Sequence, residues 1–400
     1  MIYRFSDCEL DTDRLVLRRA DQAVAIEPQV FDTLRLLVQN AGALVTKDQL
    51  IEEVWNGRIV SEASISSRIN AARSAVGDDG KQQAIIRTLP RRGFEFVAPL
   101  SETGASATAA PENDKPLSHT IRYTLSPKDG TSIAWSRTGE GPPLVFCAHH
   151  VTHLERDLNS EITGGVYRRL AAQHDLVRYD TRGTGLSGPI HPENTVEDLA
   201  SDLQAVVDAA GLDRFPLVAC LQGTTSAIRF AAENPDRVSR LVIMTGYARG
   251  RSLREDAPAD PANDPFISLW NSGAWGDPEN GFMRAWATMV MPDLSSEMMT
   301  KFILHIKHAN TREDALAQRA VIDRLDARGD LPNVKCPTLV IHARRCTIHP
   351  VAEGRRVAAG IQGAEFLEVD SASAFCTTSD QTFDQQLSAV LEFLNRPDGQ

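Results

Sequence analysis

The chain has 400 residues and a mass of 43.8 kDa, more than one hydrophobic core usually holds, so two or three domains are expected. Its hydrophobic share of 42% and charged share of 24% exclude a disordered, collagenous or coiled-coil chain. The net charge of −11 disfavours nonspecific coating of nucleic acid.

The cysteines and the amino terminus indicate the compartment. Six cysteines occur without C-x-x-C spacing, which predicts free thiols in a reducing environment. No apolar run approaches the ~18 residues of a membrane span, and charges stand where a signal peptide would be apolar. We therefore expect a cytoplasmic protein that needs no membrane, metal or cofactor.

Residues 1–100 predict one small domain of mixed strands and helices. Short strands are expected at 3–10, 14–17 and 23–26, followed by helices at 28–40, 46–55 and 61–76. Two extended stretches, 85–89 and 94–98, flank the turn signal at 90–93. The predicted order is sheet, three helices and hairpin.

The third helix has a buried stripe and a polar face. Ile65, Ile69, Ala72 and Val76 recur at helical spacing, and Ser61 is placed to cap. Arginine can pair with guanine, asparagine with adenine, and hydroxyls can hold phosphates. An ordinary solvated helix also carries such residues, so the chemistry alone leaves both interpretations open. The polar face and the hairpin tip contribute Ser64, Ser67, Arg68, Asn70, Arg73, Arg91 and Arg92.

Three separated segments in this region resemble the winged-helix output domain of bacterial response regulators: EPQVFDTLRLLVQNAGALVTKDQLIEEVW, VSEASISSRINAARSAVGDDG and IIRTLPRRGFEFVA. The resemblance implies a winged helix-turn-helix fold, with the third helix in the major groove of double-stranded DNA and the hairpin as a wing. Basic and acidic residues nearly balance in the domain, so two copies are needed for useful affinity and a homodimer is expected. The implied core comprises Phe31, Leu34, Leu37, Leu50, Val54 and Trp55.

A different organisation follows a small, polar and proline-containing stretch at 101–119, which predicts a linker. Residues 120–396 alternate apolar strands with helical segments, as in a parallel sheet covered on both faces. Between about 246 and 331 the alternation breaks into a mostly helical insertion the size of a lid. The predicted strands are 144–148, 176–179, 216–219, 241–244, 338–342 and 365–369.

This region resembles the α/β-hydrolase family in the segments PPLVFCAHHVTHLERD, LVRYDTRGTGLSG, FPLVACLQGTTSAIRFAAENPDRVSRLVIMTGYARGR and LPNVKCPTLVIHARRCTIHP. Active members carry a serine on a strand-to-helix turn of the form G-x-S-x-G. The matching position here is Leu221, and the acid and base positions implied by the resemblance fall on Cys346 and Ala374. These substitutions predict that the domain is not an enzyme but a hydrolase-like receptor.

The expected function is a one-component transcription regulator whose second domain senses a small organic effector. Two alternatives stay open: an active hydrolase using Cys220, and a thiol or metal sensor using Cys147, Cys220, Cys346 and Cys376 near the histidines. The predicted ligand-binding residues are His149, His150, Cys220, Leu221, Gln222, Cys346, Ala374 and Phe375.

Overall fold

The computed structural model describes residues 2–12, 16–20, 22–24, 26–42, 44–55, 60–89, 92–103, 119–147, 149–255, 257 and 273–397. The chain divides into two compact units, Met1–Asp114 and Lys115–Gln400. Among the described helices, none combines the length and the apolar character that crossing a bilayer requires.

The first unit contains a five-stranded antiparallel sheet in the order β4-β3-β2-β1-β8. The predicted strand 3–10 is two strands, because the chain reverses at Ser6, whose φ of 49° is left-handed. The sheet consists of β1 (Ile2–Phe5), β2 (Cys8–Asp11), β3 (Val16–Arg19), β4 (Gln22–Val24) and β8 (Ser101–Thr103).

The last of these strands corrects the predicted start of the linker. Ser101–Thr103 pair with β1, and this backbone pairing requires no apolar side chains, so composition gave no sign of it. Residues 104–118 of the predicted linker lie outside the described residues.

Three helices and a three-stranded sheet complete the first unit. The sheet has the order β5-β7-β6, and β6 and β7 form the hairpin wing. The predicted core is buried apart from Trp55, which is partly exposed, and the stripe on α3 joins it. The elements are α1 (Pro28–Gln39), β5 (Leu44–Val45), α2 (Lys47–Trp55), α3 (Glu62–Ala75), β6 (Ile86–Leu89) and β7 (Gly93–Phe96).

The second unit is built on an eight-stranded sheet in the order β16-β15-β14-β13-β11-β12-β10-β9. The apolar pattern did not predict the two strands that come first in the chain, β9 and β10. They pair antiparallel to each other at one edge of the sheet, while the remaining six strands run parallel. The strands are β9 (Thr120–Leu125), β10 (Ser132–Thr138), β11 (Pro143–Cys147), β12 (Asp175–Tyr179), β13 (Phe215–Cys220), β14 (Val238–Met244), β15 (Thr338–Ala343) and β16 (Glu365–Val369).

Helices cover both faces of this sheet, because successive strand residues point to opposite sides. Val218 belongs to a core shared with α5 and α12, whereas Leu217 and Ala219 belong to a core shared with α6, α7 and α11. This arrangement is the α/β-hydrolase fold. The flanking helices are α4 (Leu154–Asp157), α5 (Gly164–Ala171), α6 (Val196–Ala209), α7 (Gly223–Glu233), α11 (Val351–Gly360) and α12 (Phe383–Leu394).

The predicted lid region is helical in its described part. It contains α8 (Gly281–Val290), α9 (Ser296–Ala309) and α10 (Arg312–Ile322). Trp286 and Phe302 stack face to face between the first two of these helices, with ring centroids 6.2 Å apart. The first two helices therefore pack against each other through aromatic contacts.

Candidate functional site

The exposed face of α3 is the predicted DNA-reading surface. Ser64, Ser67 and Asn70 are exposed on it. Ser61 caps the helix, accepting the backbone N–H of Ser64 at 3.2 Å. Arg68 is partly buried and ion-paired with the exposed Glu27, and such a surface pair is weak enough for phosphate to replace. Arg68 thus stays in the predicted reading set with the three polar residues.

Arg73 is placed differently, and the structure corrects its predicted role in reading bases. Its side chain is only 5% exposed. Its Nε and Nη2 donate to the Ile86 carbonyl at 3.0 and 2.8 Å, and Nη2 also donates to Thr88 Oγ1 at 2.8 Å. Arg73 therefore joins α3 to the first strand of the wing. Its position four residues after the buried Ile69 was the sequence signal for this inward orientation.

Asp78, which the sequence analysis did not single out, fixes the turn after α3. Its carboxylate accepts four backbone N–H groups from residues 79–86 at 2.8–3.0 Å. Burial works to raise the pKa of Asp78, but the four donors outweigh it and lower the pKa. The Asp78-Asp79-Gly80 sequence after a helix was a usable turn signal.

The wing presents Arg92 at its tip, where the side chain is exposed. Arg91, the other predicted wing contact, lies outside the described residues. Next to the tip, Gly93 has a φ of 146°, and a Cβ there would lie 2.1 Å from the Val45 carbonyl oxygen. This close approach lets β7 pair with β5 and sets the direction of the wing.

In the second unit, Leu221 lies where β13 turns into α7, at the carboxyl edge of the sheet. Its φ of 51° is left-handed, a conformation that costs a leucine about 1–2 kcal/mol. Its backbone N–H donates to the Met244 carbonyl at 3.2 Å, and its side chain is 3% exposed. The sharp strand-to-helix turn is present, but the side chain on it has no lone pair for attack on a carbonyl.

Two cavities meet at this turn, and Leu221, Ala374 and Phe375 line both. The larger, here called the wide cleft, has a volume of about 230 Å³ and opens partly to solvent. The smaller, the inner cavity, has a volume of about 30 Å³. Of the remaining predicted ligand-binding residues, His150 and Gln222 line the wide cleft, and His149 and Cys220 line the inner cavity.

Both predicted histidines are uncharged near neutral pH. Burial lowers the pKa of His149 well below its ordinary value and that of His150 to about 4. His149 Nδ1 accepts the Val151 N–H at 3.1 Å, which leaves its proton on Nε2. His150 Nδ1 contacts the amide nitrogen of Gln222. Neutral imidazoles therefore border each cavity close to the turn.

Cys346 is the predicted ligand-binding residue that the structure corrects. It lines neither cavity, because it is buried beneath the loop after β15, where its Sγ accepts the His349 N–H at 3.4 Å. Burial raises the pKa of Cys346 and also those of Cys147, Cys220 and Cys376. Reactive thiols have lowered pKa values, so this environment disfavours the thiol sensor and a Cys220 nucleophile.

Metal sensing has no support in the described residues, which include no group of three or more His, Cys, Asp or Glu arranged to hold an ion. The other side chains of the wide cleft were missed by the sequence analysis. They include Tyr247 and Arg254, which lie in the segment after β14, and the lid residues Trp286, Met289 and Ile322. His349, one of the histidines considered beside the cysteines, comes from the loop after β15 and also lines this cleft.

A buried ionic cluster supports the loops around the pocket. Asp157 contacts Arg178 Nη1 and His305 Nε2, each at 3.3 Å. Asp180 accepts the backbone N–H groups of Leu154 and Leu186 at 3.2 and 2.9 Å. Burial, with the nearby Asp157 charge, raises the pKa of Asp180 to about 7. The cluster fixes the segment that carries the two pocket histidines.

Comparison with known families supports the architecture of both units. A family model described as the C-terminal part of transcriptional regulatory proteins matches residues 21–96, and one described as the alpha/beta hydrolase fold matches residues 155–282. The chain is a fusion of these two domains. It joins a winged-helix output domain of the response-regulator type to an α/β-hydrolase domain, as predicted.

The curated relatives align with the hydrolase domain. A protein of Klebsiella pneumoniae strain 342, whose name assigns it as the carbamate hydrolase RutD, is 26% identical over 214 residues, covering 53% of this chain and 78% of its own. The corresponding protein of Caulobacter segnis is 27% identical over 233 residues, covering 56% of this chain and 84% of its own.

Solved structures show the same fold. The enol-lactonase of Burkholderia xenovorans LB400 superposes with a TM-score of 0.52 at 23% identity, covering 69% of this chain and all of its own. The bromoperoxidase of Bacillus anthracis gives a TM-score of 0.57 at 19% identity, with the same two coverages.

These comparisons correct the prediction that the domain is not an enzyme. The aligned relatives bear hydrolase names, and the similar structures include a lactonase and esterases. The prediction rested on three side chains, and a substituted nucleophile position excludes one mechanism rather than every hydrolytic one.

Proposed function

We propose that the protein is a DNA-binding transcription regulator whose α/β-hydrolase domain binds a small organic ligand in the wide cleft. The observation that carries the proposal is the fusion itself, in which an output domain shares a chain with a pocket-bearing domain. A ligand that binds two conformations unequally would then change the affinity for DNA.

The wide cleft supports ligand binding by its size and its lining. Ligand sites are concave and mostly apolar, with a few convergent polar groups. Here Trp286, Met289 and Ile322 provide apolar surface, and His150 and Gln222 provide polar atoms next to the strand-to-helix turn. Carbamates, esters and lactones, the compound classes named for the relatives, combine both kinds of surface and are the first compounds to test.

The winged helix supports binding of double-stranded DNA by a homodimer. Ser64, Ser67, Arg68 and Asn70 lie on α3 and Arg92 lies at the wing tip, so few cations face a phosphate backbone. Two copies on repeated half-sites would double this contact set.

A thermal-shift screen followed by DNA titration tests the proposal. Ligands that bind only the folded state raise its unfolding midpoint. We expect at least one carbamate, ester or lactone to raise the midpoint of the full-length protein and to change its affinity for DNA from its own promoter region by about fivefold or more. A ligand that raises the midpoint while DNA affinity stays constant would contradict regulation through this cleft.

Hydrolysis in the same cleft is a second candidate function, favoured by the names of the relatives. Leu221 offers no nucleophile, so the attacking oxygen would come from water. Water would bond to the ligand's carbonyl carbon, and its proton would pass to Nδ1 of His150, where it would replace the contact with the Gln222 amide nitrogen, and then to the leaving group as the C–O or C–N bond breaks.

Turnover of p-nitrophenyl butyrate and of a γ-lactone by the purified protein tests this second function. We expect turnover above the buffer rate that falls at least tenfold in His150→Ala. The matched control is His191→Ala, because His191 is exposed and lies outside both cavities. Equal rates in wild type and His150→Ala, or rates no higher than buffer, would contradict it.

A further inference from the structure

One corner of the wide cleft holds a buried arginine without an acidic partner. Arg254 is 8% exposed, and among the described residues it makes one long hydrogen bond, of 3.4 Å from Nη1 to the Ile348 carbonyl. Within the described part of the chain, no carboxylate forms an ion pair with it. A buried charge without compensation is costly, so this position calls for an anion.

Two other buried arginines of this domain show what compensation by a carboxylate looks like. Arg182 pairs with Asp202 at 2.6 Å, and Arg249 pairs with Glu353 at 2.9 Å. Even Arg319, which also lines the wide cleft, pairs with Asp323 at 2.7 Å. Arg254 differs from all three because the group stacked on it is a neutral ring.

Two aromatic side chains form this corner with Arg254. The guanidinium carbon lies 5.1 Å from the centre of the Tyr247 ring, and that ring stacks on His349 with centroids 4.7 Å apart. The Tyr247 hydroxyl, Arg254 Nε and His349 Nδ1 are buried atoms for which the described residues provide no hydrogen-bond partner. Buried polar groups are normally satisfied, so three unsatisfied atoms around one cation indicate a missing partner.

The positive charge of Arg254 and the unsatisfied hydrogen-bonding atoms around it fit a carboxylate ligand. Guanidinium binds planar carboxylates through charge-assisted hydrogen bonds, and a phenol O–H donates to the same kind of oxygen. Burial, followed by the charge of Arg254, holds the pKa of His349 well below its ordinary value, so its imidazole is neutral in the empty cleft. An incoming anion would weaken the effect of Arg254 on this histidine.

We propose that the ligand of the wide cleft is an organic carboxylate whose anionic end is held by Arg254 beside Tyr247 and His349. Its apolar part then lies along Trp286 and Met289, toward the turn at Leu221. This inference rests on the proposed ligand-binding function and adds the chemical class of the ligand.

Matched compounds test the charge requirement by isothermal titration of the full-length protein. The probes are 3-phenylpropanoate, hexanoate and succinate, the neutral primary amides of each, and inorganic phosphate. We expect a carboxylate to bind at least tenfold more tightly than its amide in wild type. The preference should disappear in Arg254→Gln and persist in Arg355→Gln, an exposed arginine outside the cleft.

Thermal unfolding of ligand-free Arg254→Met separates a ligand contact from a structural role. Because the native charge is uncompensated, we expect the midpoint to stay constant or rise, whereas a structural arginine would lower it. Amides or lactones binding as tightly as carboxylates, or phosphate binding in preference to them, would overturn the inference and leave ligand binding intact. Binding by no compound, neutral or charged, would overturn both.

Discussion

Single arginines in the DNA-binding domain differ in role according to burial. Arg92 is exposed at the wing tip, whereas Arg73 is buried and donates to the wing backbone. We therefore expect the same residue type to contribute to DNA affinity at one position and to stability of the domain at the other.

Replacing these two arginines separates the two roles. Arg92→Ala should weaken binding to all DNA sequences alike and reduce the slope of log K against log salt by about 1, because one phosphate contact is lost. Arg73→Ala should lower the free energy of unfolding by about 1–3 kcal/mol, because the Ile86 carbonyl stays buried without a donor. Fluorescence anisotropy at several salt concentrations measures the effect of Arg92→Ala on DNA binding, and urea unfolding measures the effect of Arg73→Ala on stability. An unchanged salt slope for Arg92→Ala would exclude the wing contact.

Asp180 gives the hydrolase domain a predictable pH dependence. Burial, with Asp157 nearby, raises its pKa to about 7, far above the ordinary value of 3.8. Between these values the folded protein binds more protons at this site than the unfolded chain, so the site's contribution to stability falls as pH rises.

We expect the free energy of unfolding of wild type, relative to Asp180→Asn, to decrease as pH rises from 4 toward 7 and to level off above that. Urea unfolding at intervals of one pH unit measures the difference. The control Asp293→Asn removes an exposed carboxyl and should leave the pH slope unchanged. Equal slopes in wild type and Asp180→Asn would show that this carboxyl does not titrate in that range.

At the scale of elements, the wing depends on a glycine that approaches a neighbouring strand. An added Cβ at Gly93 would meet the Val45 carbonyl at 2.1 Å, whereas Gly42, also at positive φ, has nothing within 4 Å. Gly42→Ala should cost only the backbone strain, about 1 kcal/mol. Gly93→Ala should cost more than that and separate β5 from β7, seen as faster hydrogen exchange at Val45; equal losses of stability would contradict the steric argument.

Elements with strong side-chain patterns were predictable from the sequence, and those held mainly by backbone pairing were not. The apolar runs of the six parallel strands and the stripe on α3 specify buried faces. By contrast, Ser101–Thr103 and the two-residue β5 depend on pairing with distant segments, and β9 is a largely exposed edge strand that pairs with β10. In the site, the turn at Leu221 was found from its flanking residues, but Tyr247 and Arg254, from the segment after β14, meet His349 from the loop after β15 with no local pattern to connect them.

At the scale of the whole molecule, ligand and DNA binding are linked if one conformational equilibrium serves both domains. Linkage is reciprocal, so a ligand that changes DNA affinity by some factor requires that DNA change ligand affinity by the same factor. Titration of ligand into the protein with and without promoter DNA measures the factor by which DNA changes ligand affinity. Titration of DNA with and without ligand measures the factor by which the ligand changes DNA affinity. Unequal factors would exclude a single shared equilibrium.

The wall formed by Leu221, Ala374 and Phe375 has a consequence for selectivity by chain length. Because these side chains border both the wide cleft and the inner cavity, we expect a short hydrocarbon tail of a bound ligand to end against them. A tail several carbons longer should reach the inner cavity only if one of these three side chains changes its rotamer. In a series of ligands that differ only in tail length, affinity should therefore change abruptly at one carbon number. The substitution Leu221→Ala should shift this change toward longer tails.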